Sequence, residues 1–140
     1  MSAKSFLDTN VFLYSFDDRV PAKAKRATRL IRDAVVTGSG VVSYQVVQEF
    51  FNVALRRLAP PMTSAEAEQY LASIFRPLLA IQSSASLFAA ALDAQPRYRL
   101  SWYDSLIVAA AIEAECSLLY TEDLHDGARF GSLRVENPFR

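Results

Sequence analysis

The chain has 140 residues, the size of one domain spanning 1–140, and at that length it buries roughly 70% of its unfolded surface without help from disulfides. One cysteine, Cys116, and one histidine, His125, exclude an internal disulfide, a cysteine zinc cluster and a multi-histidine metal site, and Cys116 reads as a small buried apolar residue. Fifteen basic and fifteen acidic residues give zero net charge, which does not by itself mark a nucleic-acid binder.

The first element is a short strand within Ala3–Phe12 that delivers Asp8 near its tip, followed by a helical turn over Val11–Tyr14. Asp17-Asp18 is a loop. Pro21 opens a helix, because its missing N–H is not needed in a first turn. Ala24, Ala27, Ile31, Ala34 and Val35 give that helix an apolar face. Lys25, Arg26, Arg29 and Arg32 fall mostly on the other side. Six of the fifteen basic residues lie between Arg19 and Arg32, and Arg26 and Arg29 are candidate contacts to phosphates.

Gly38-Ser39-Gly40 breaks the chain, and Val41-Val42-Ser43 is a strand whose last residue suits a helix N-cap. Val47, Phe50, Phe51, Ala54, Leu55 and Leu58 predict a helix running to Leu58, with Arg56-Arg57 at its end and Glu49 in its second turn. Pro60-Pro61 breaks it. Thr63 and Glu66 form a capping box for a helix that stops at Pro77. Leu78–Ile81 is a strand, and Ser84 or Ser86 starts a helix ending at Gln95-Pro96. The apolar residues Phe50, Phe51, Leu55 and Leu58, with Tyr70, Leu71, Ile74 and Phe75, exceed what one core needs and predict a partner groove.

Ser101 caps a helix with Asp104 in its first turn, and Leu106–Ile112 is apolar on nearly every face, as in a helix buried inside a domain. Leu118–Thr121 is a strand closing on Glu122-Asp123, and Leu133–Val135 is a last edge strand. Phe6-Leu7 is too short for a signal-peptide core, and no run of 18 apolar residues spans a bilayer, so the expected location is cytoplasmic, with no membrane partner. Strands alternating with helices predict an α/β fold, with a mainly parallel sheet covered on both faces.

In a parallel sheet the strand C-termini and the following helix N-termini share one edge. Asp8, Glu49, Asp104 and Asp123 all fall at that edge. Two carboxylates at about 4 Å repel by roughly 4 kcal/mol at an effective dielectric of 20, so such a cluster calls for a cation or for protonation. Oxygen donors without His or Cys suit Mg²⁺, with Mn²⁺ as a substitute. Asp8 and Asp104 are the expected direct metal ligands, and Glu49 and Asp123 act through water or complete a second site. Glu122 and Asp126 compete with Asp123 for the fourth position. A metal set among acids fits phosphodiester hydrolysis. No P-loop and no Gly-rich dinucleotide motif is present. A haloacid-dehalogenase-like phosphatase needs a second aspartate two residues after the first, and Asn10 stands there.

Phe6-Leu7-Asp8-Thr9-Asn10-Val11, Gln48-Glu49-Phe50, Leu100 to Ile107 and Leu119 to Leu124 together resemble a PIN domain, and within it a VapC-type toxin of a type II toxin–antitoxin pair. The resemblance implies a three-layer α/β/α sandwich and a Mg²⁺-dependent endoribonuclease that is a homodimer restrained by a cognate antitoxin. It assigns the acidic positions to Asp8, Glu49, Asp104 and Asp123, and supporting polar positions to Thr9, Asn10 and Thr121. The family's usual Asp-Ala pair is Asp104-Ser105 here, and its Thr-x-Asp spacing favours Asp123. A housekeeping RNA-processing PIN nuclease and a non-catalytic PIN-like scaffold that binds RNA or a partner are the alternatives.

Overall fold

The structure, a computed structural model, describes residues 3–140. Six short strands form one sheet: β1 (Ser5–Leu7), β2 (Gly40–Ser43), β3 (Leu79–Ile81), β4 (Leu118–Tyr120), β5 (Arg129–Phe130) and β6 (Leu133–Glu136). Their order is β3-β2-β1-β4-β6-β5, and every pairing is parallel except β5 with β6. Helices cover both sides of the sheet. They are α1 (Thr9–Tyr14), α2 (Pro21–Thr37), α3 (Tyr44–Ala54), α4 (Ser64–Tyr70), α5 (Arg76–Leu78), α6 (Ala85–Tyr98) and α7 (Trp102–Glu113). From β1 the chain builds outward to β2 and β3, and from β4 it builds the other way. β1 and β4 therefore flank the point where the winding reverses, which is where open α/β sheets form their ligand crevice.

The core follows the apolar pattern of the sequence. Phe12, Phe50 and Phe75 are fully buried, and the Phe12 ring lies 6.5 Å from Phe50 and 5.0 Å from Phe75. Tyr70 stacks on Phe50 at 5.0 Å. Helix α7 is buried from Ser105 through Ala111, and Cys116 is buried beneath β4. Such a helix is held in place by contacts on all sides, which fixes the position of the residues in its first turn.

Several boundaries differ from the sequence expectation. Helix α3 ends at Ala54 rather than Leu58, because the chain must turn ahead of Pro60-Pro61. The freed Ala54 carbonyl accepts from Met62 N at 2.8 Å, and Arg56-Arg57 lie in the turn instead of the last helical turn. The capping box at Thr63 forms as expected. The helix it opens continues through Pro77 to Leu78, by way of a π turn over Leu71–Phe75. The wider turn relieves the clash a proline makes with the carbonyl four residues earlier. Helix α6 likewise runs through Pro96 to Tyr98, on its exposed face, and stops where Arg99 adopts φ 56°. The sheet ends on β5 rather than on Leu133–Val135, since Gly131, at φ 64°, allows a tight hairpin. Among the described residues no helix is long and apolar enough to cross a membrane.

Gly40 marks a close approach of α2 to the sheet: a Cβ there would lie 2.4 Å from Ala34 Cβ and 3.1 Å from Leu78 Cδ2. Gly40→Ala is expected to cost about 1–3 kcal/mol, through overpacking, in a denaturant titration. An unchanged midpoint would show that α2 does not sit this tightly on β2.

Candidate active site

The site grows from the junction of β1 and β4. Asp8 N donates to the Tyr120 carbonyl at 3.0 Å, one step past the paired strands, and this sets Asp8 beside Thr121. Thr9 N donates to Asp8 Oδ1 at 2.7 Å, and Thr121 Oγ1 donates to Oδ2 at 2.8 Å. Asp8 is 5% exposed and Thr121 fully buried. Asp8 is thus the residue that both ends β1 and caps α1.

Thr121 also accepts from Asp123 N at 3.0 Å, and Asn10 Nδ2 reaches Thr121 Oγ1 at 3.3 Å and Asp123 Oδ2 at 3.2 Å. Asp8, Thr121, Asn10 and Asp123 therefore form one connected polar chain. The competing acids are engaged elsewhere. Glu122 accepts from Lys23 Nζ at 2.7 Å and from Tyr14 Oη at 2.6 Å. Burial alone would raise its pKa, but these two donors outweigh it and hold it below the usual range. Asp126 accepts from Asn137 N at 2.7 Å and pairs with Arg140.

The second half of the site comes from α3 and α7. Ser101 Oγ accepts from Asp104 N at 3.1 Å, which anchors the first turn of α7. Gln45, buried in the first turn of α3, donates to Glu49 Oε1 at 2.7 Å and to the Tyr103 carbonyl at 3.2 Å. Sequence reasoning missed Gln45, because its role is visible only once α3 and α7 lie side by side. Ser43 occupies the position before α3, but its side chain makes no capping hydrogen bond, in contrast to the expectation.

Three of the acids, Asp8, Glu49 and Asp104, are shifted upward. Burial pushes the Asp8 carboxyl up from 3.8 to about 7, against the hydrogen bonds from Thr121 and Thr9, and the charges of Asp123 and Glu49 push the same way. Partial desolvation at the exposed rim also raises Glu49, against the hydrogen bond from Gln45 and with Asp123 and Asp104 adding to it. Asp104 rises through burial and the charge of Asp123, against its bond to Ser101.

Among the described residues no three His, Cys, Asp or Glu side chains converge closely enough to hold a metal ion. The donor chemistry still fits a hard divalent cation, being four carboxylates with no imidazole or thiolate among them. Two further oxygens point the same way: Asn10 Oδ1 and Gln45 Oε1 are buried without a hydrogen-bond donor, as are the hydroxyls of Thr9 and Ser43. Buried polar atoms without partners are uncommon in folded proteins, and all four sit at the edge that carries the acids.

Of the other expected residues, Arg29 is exposed on α2, whereas Arg26 is half-buried and donates Nε to the Pro138 carbonyl at 3.3 Å.

The profile of the PIN domain matches residues 5–126, and the chain belongs to that family. No curated protein sequence matches it. Similar solved structures include a toxin–antitoxin complex from Klebsiella pneumoniae, at 16% identity, with 96% of this chain and 98% of that one covered and a TM-score of 0.68. VapC20 from Mycobacterium tuberculosis, a Sarcin-Ricin loop cleaving toxin, aligns at 17% identity over 86% of this chain and 90% of its own, with a TM-score of 0.62. VapBC2 from Rickettsia felis, bound to a fragment of promoter DNA, aligns at 16% identity over 95% and 97%, with a TM-score of 0.65. At these identities the likeness is one of fold.

The Asp8 shift has a consequence for stability without metal. Unfolded Asp8 loses its proton near pH 4 and folded Asp8 near pH 7. Between these values the folded state holds a proton that the unfolded state lacks, so raising the pH favours unfolding. The contribution is full below pH 4 and lost above pH 7. In EDTA at pH 7.5, Asp8→Asn is expected to stabilise the chain by about 1–3 kcal/mol and to flatten its stability between pH 4 and 7. Equal pH profiles for the two proteins would contradict this.

Proposed function

We propose that the chain is a Mg²⁺-dependent endoribonuclease that hydrolyses RNA phosphodiester bonds at Asp8, Glu49, Asp104 and Asp123, and that it acts in the cytoplasm as the toxin of a toxin–antitoxin pair. The observation that carries the catalytic reading is the buried Asp8 carboxyl at the sheet's reversal point, raised to about 7 by burial, with the charges of Asp123 and Glu49 adding to it. Asp8 and Asp104 would hold the ion, with Mn²⁺ able to replace Mg²⁺. Bound there, the ion supplies positive charge that offsets the phosphoryl oxygens and makes water easier to deprotonate. Glu49, steadied by Gln45, and Asp123, steadied by Asn10, orient water and take up its proton. Thr9, Asn10 and Thr121 keep these carboxylates in place. Arg29, with Arg26, would attract the RNA backbone.

Family membership and the neighbours in toxin–antitoxin complexes support the toxin reading. Part of the apolar excess seen in the sequence fills the core, because Phe50 and Phe75 are fully buried. Tyr70 and Ile74 instead join Phe16, Ile31 and Val35 around an apolar groove of about 370 Å³. An antitoxin helix fits such a groove, and an antitoxin arginine would meet the acids. A homodimer completes the proposed assembly.

Cleavage of RNA is expected to stop in EDTA and to return with Mg²⁺ or Mn²⁺, and Asp104→Asn is expected to lower it at least 100-fold with the fold intact. Undiminished cleavage in EDTA would rule out the metal mechanism. Arg29→Ala, which leaves the Pro138 contact of Arg26 alone, is expected to weaken RNA binding and reduce its salt slope by about one. An unchanged slope would make Arg29 an ordinary surface residue. For the toxin reading, co-expression with the adjacent small open reading frame should yield a complex without nuclease activity. An active chain with no inhibitory partner would leave a housekeeping nuclease.

A further inference from the structure

A tyrosine stands in the first turn of each of the helices that carry Glu49 and Asp104. Tyr103 directly precedes Asp104 in the first turn of α7 and is 67% exposed. Tyr44 opens α3 five residues before Glu49 and is half-buried. Gln45, next to Tyr44, holds the Glu49 carboxylate and the Tyr103 backbone carbonyl at once, which joins the first turn of α7 to the acid on α3. Trp102 turns the other way, its ring 6.4 Å from Phe88 on α6, and so braces α7 from behind. Tyr103 has no such partner among the described residues, and its ring is left open.

A cluster of acids repels the strand it acts on, so the strand must be held by something beside the cluster that is apolar or cationic. The face of a nucleobase is the ligand chemistry that matches an open aromatic ring. Stacking of a base on an aromatic side chain contributes about 1–3 kcal/mol and tolerates any base.

We propose that Tyr103 forms a stacking ledge for one nucleobase next to the phosphate presented to Asp104, an inference that rests on the nuclease function proposed above. The ledge would set which linkage enters the site, because a base seated on it fixes the distance along the strand to the acids.

The test is a chemical double-mutant cycle. A labelled single-stranded RNA carrying an abasic nucleotide at each position in turn is titrated in Mg²⁺ against the Asp8→Asn protein, with Tyr103 intact, as Tyr103→Ala, or as Tyr103→Phe. Tyr103→Ala is expected to weaken binding of the unmodified RNA by about 5- to 150-fold, and Tyr103→Phe to keep it within about twofold. At one position the abasic nucleotide should weaken binding to the Tyr103 protein by a similar factor and leave Tyr103→Ala unaffected. Abasic losses that are equal for both proteins at every position would overturn the ledge. So would light scattering showing that Tyr103→Ala turns a dimer into a monomer, since a second copy would then cover the ring. Cleavage of the same RNA by the protein with Asp8 intact is measured in parallel. Cleavage without any Tyr103 effect removes the ledge and leaves the nuclease standing, whereas neither cleavage nor binding removes both.

Discussion

Burial of the Asp8 carboxylate is the constraint on which the carboxyl edge of the sheet depends. Taking an ionised group out of water is costly unless it is hydrogen-bonded or neutralised. Here two donors, Thr9 N and Thr121 Oγ1, reach the two oxygens, and the carboxyl still titrates near 7. The residual demand for positive charge is built into the backbone, because Asp8 is fixed by the last β1–β4 hydrogen bond and by the start of α1. A proton can meet that demand, and so can a cation.

The remaining acids are more exposed than Asp8. Asp123 is exposed but tethered through Asn10 and Thr121. Glu49 is exposed at the rim and steadied by Gln45. Asp104 is half-buried, with its backbone anchored by Ser101 and its helix locked by burial on every side. A buried carboxylate in the floor and more exposed ones at the rim fit the proposed metal site. The buried oxygens of Asn10 and Gln45, left without donors, are two further acceptors at the same edge.

Much of this was legible in the sequence because it is local. A short apolar run ending on Asp8, the serine ahead of Asp104 and the apolar run after it each follow from residues within a few positions of one another. The choice of Asp123 over Glu122 rested on spacing alone, whereas the structure shows that Lys23 and Tyr14, about a hundred residues away, occupy Glu122. Gln45 carried no signal for the same reason, since its partner Tyr103 comes from another helix. The prolines misled because their effect depends on where they face: Pro96 lies on an exposed helical surface, and Pro77 follows a π turn that makes room for its ring. The two-residue strand β5 is too short for any periodicity, and Gly131 was its one sign.

The most direct test of the acidic centre is a crystal of the chain soaked in Mn²⁺, with data collected for anomalous scattering. The expected result is a peak within coordination distance of Asp8 and Asp104, with Glu49 and Asp123 turned toward it through water. A peak at another group of acids, or none at a Mn²⁺ concentration that supports RNA cleavage, would contradict a metal mechanism at these four residues.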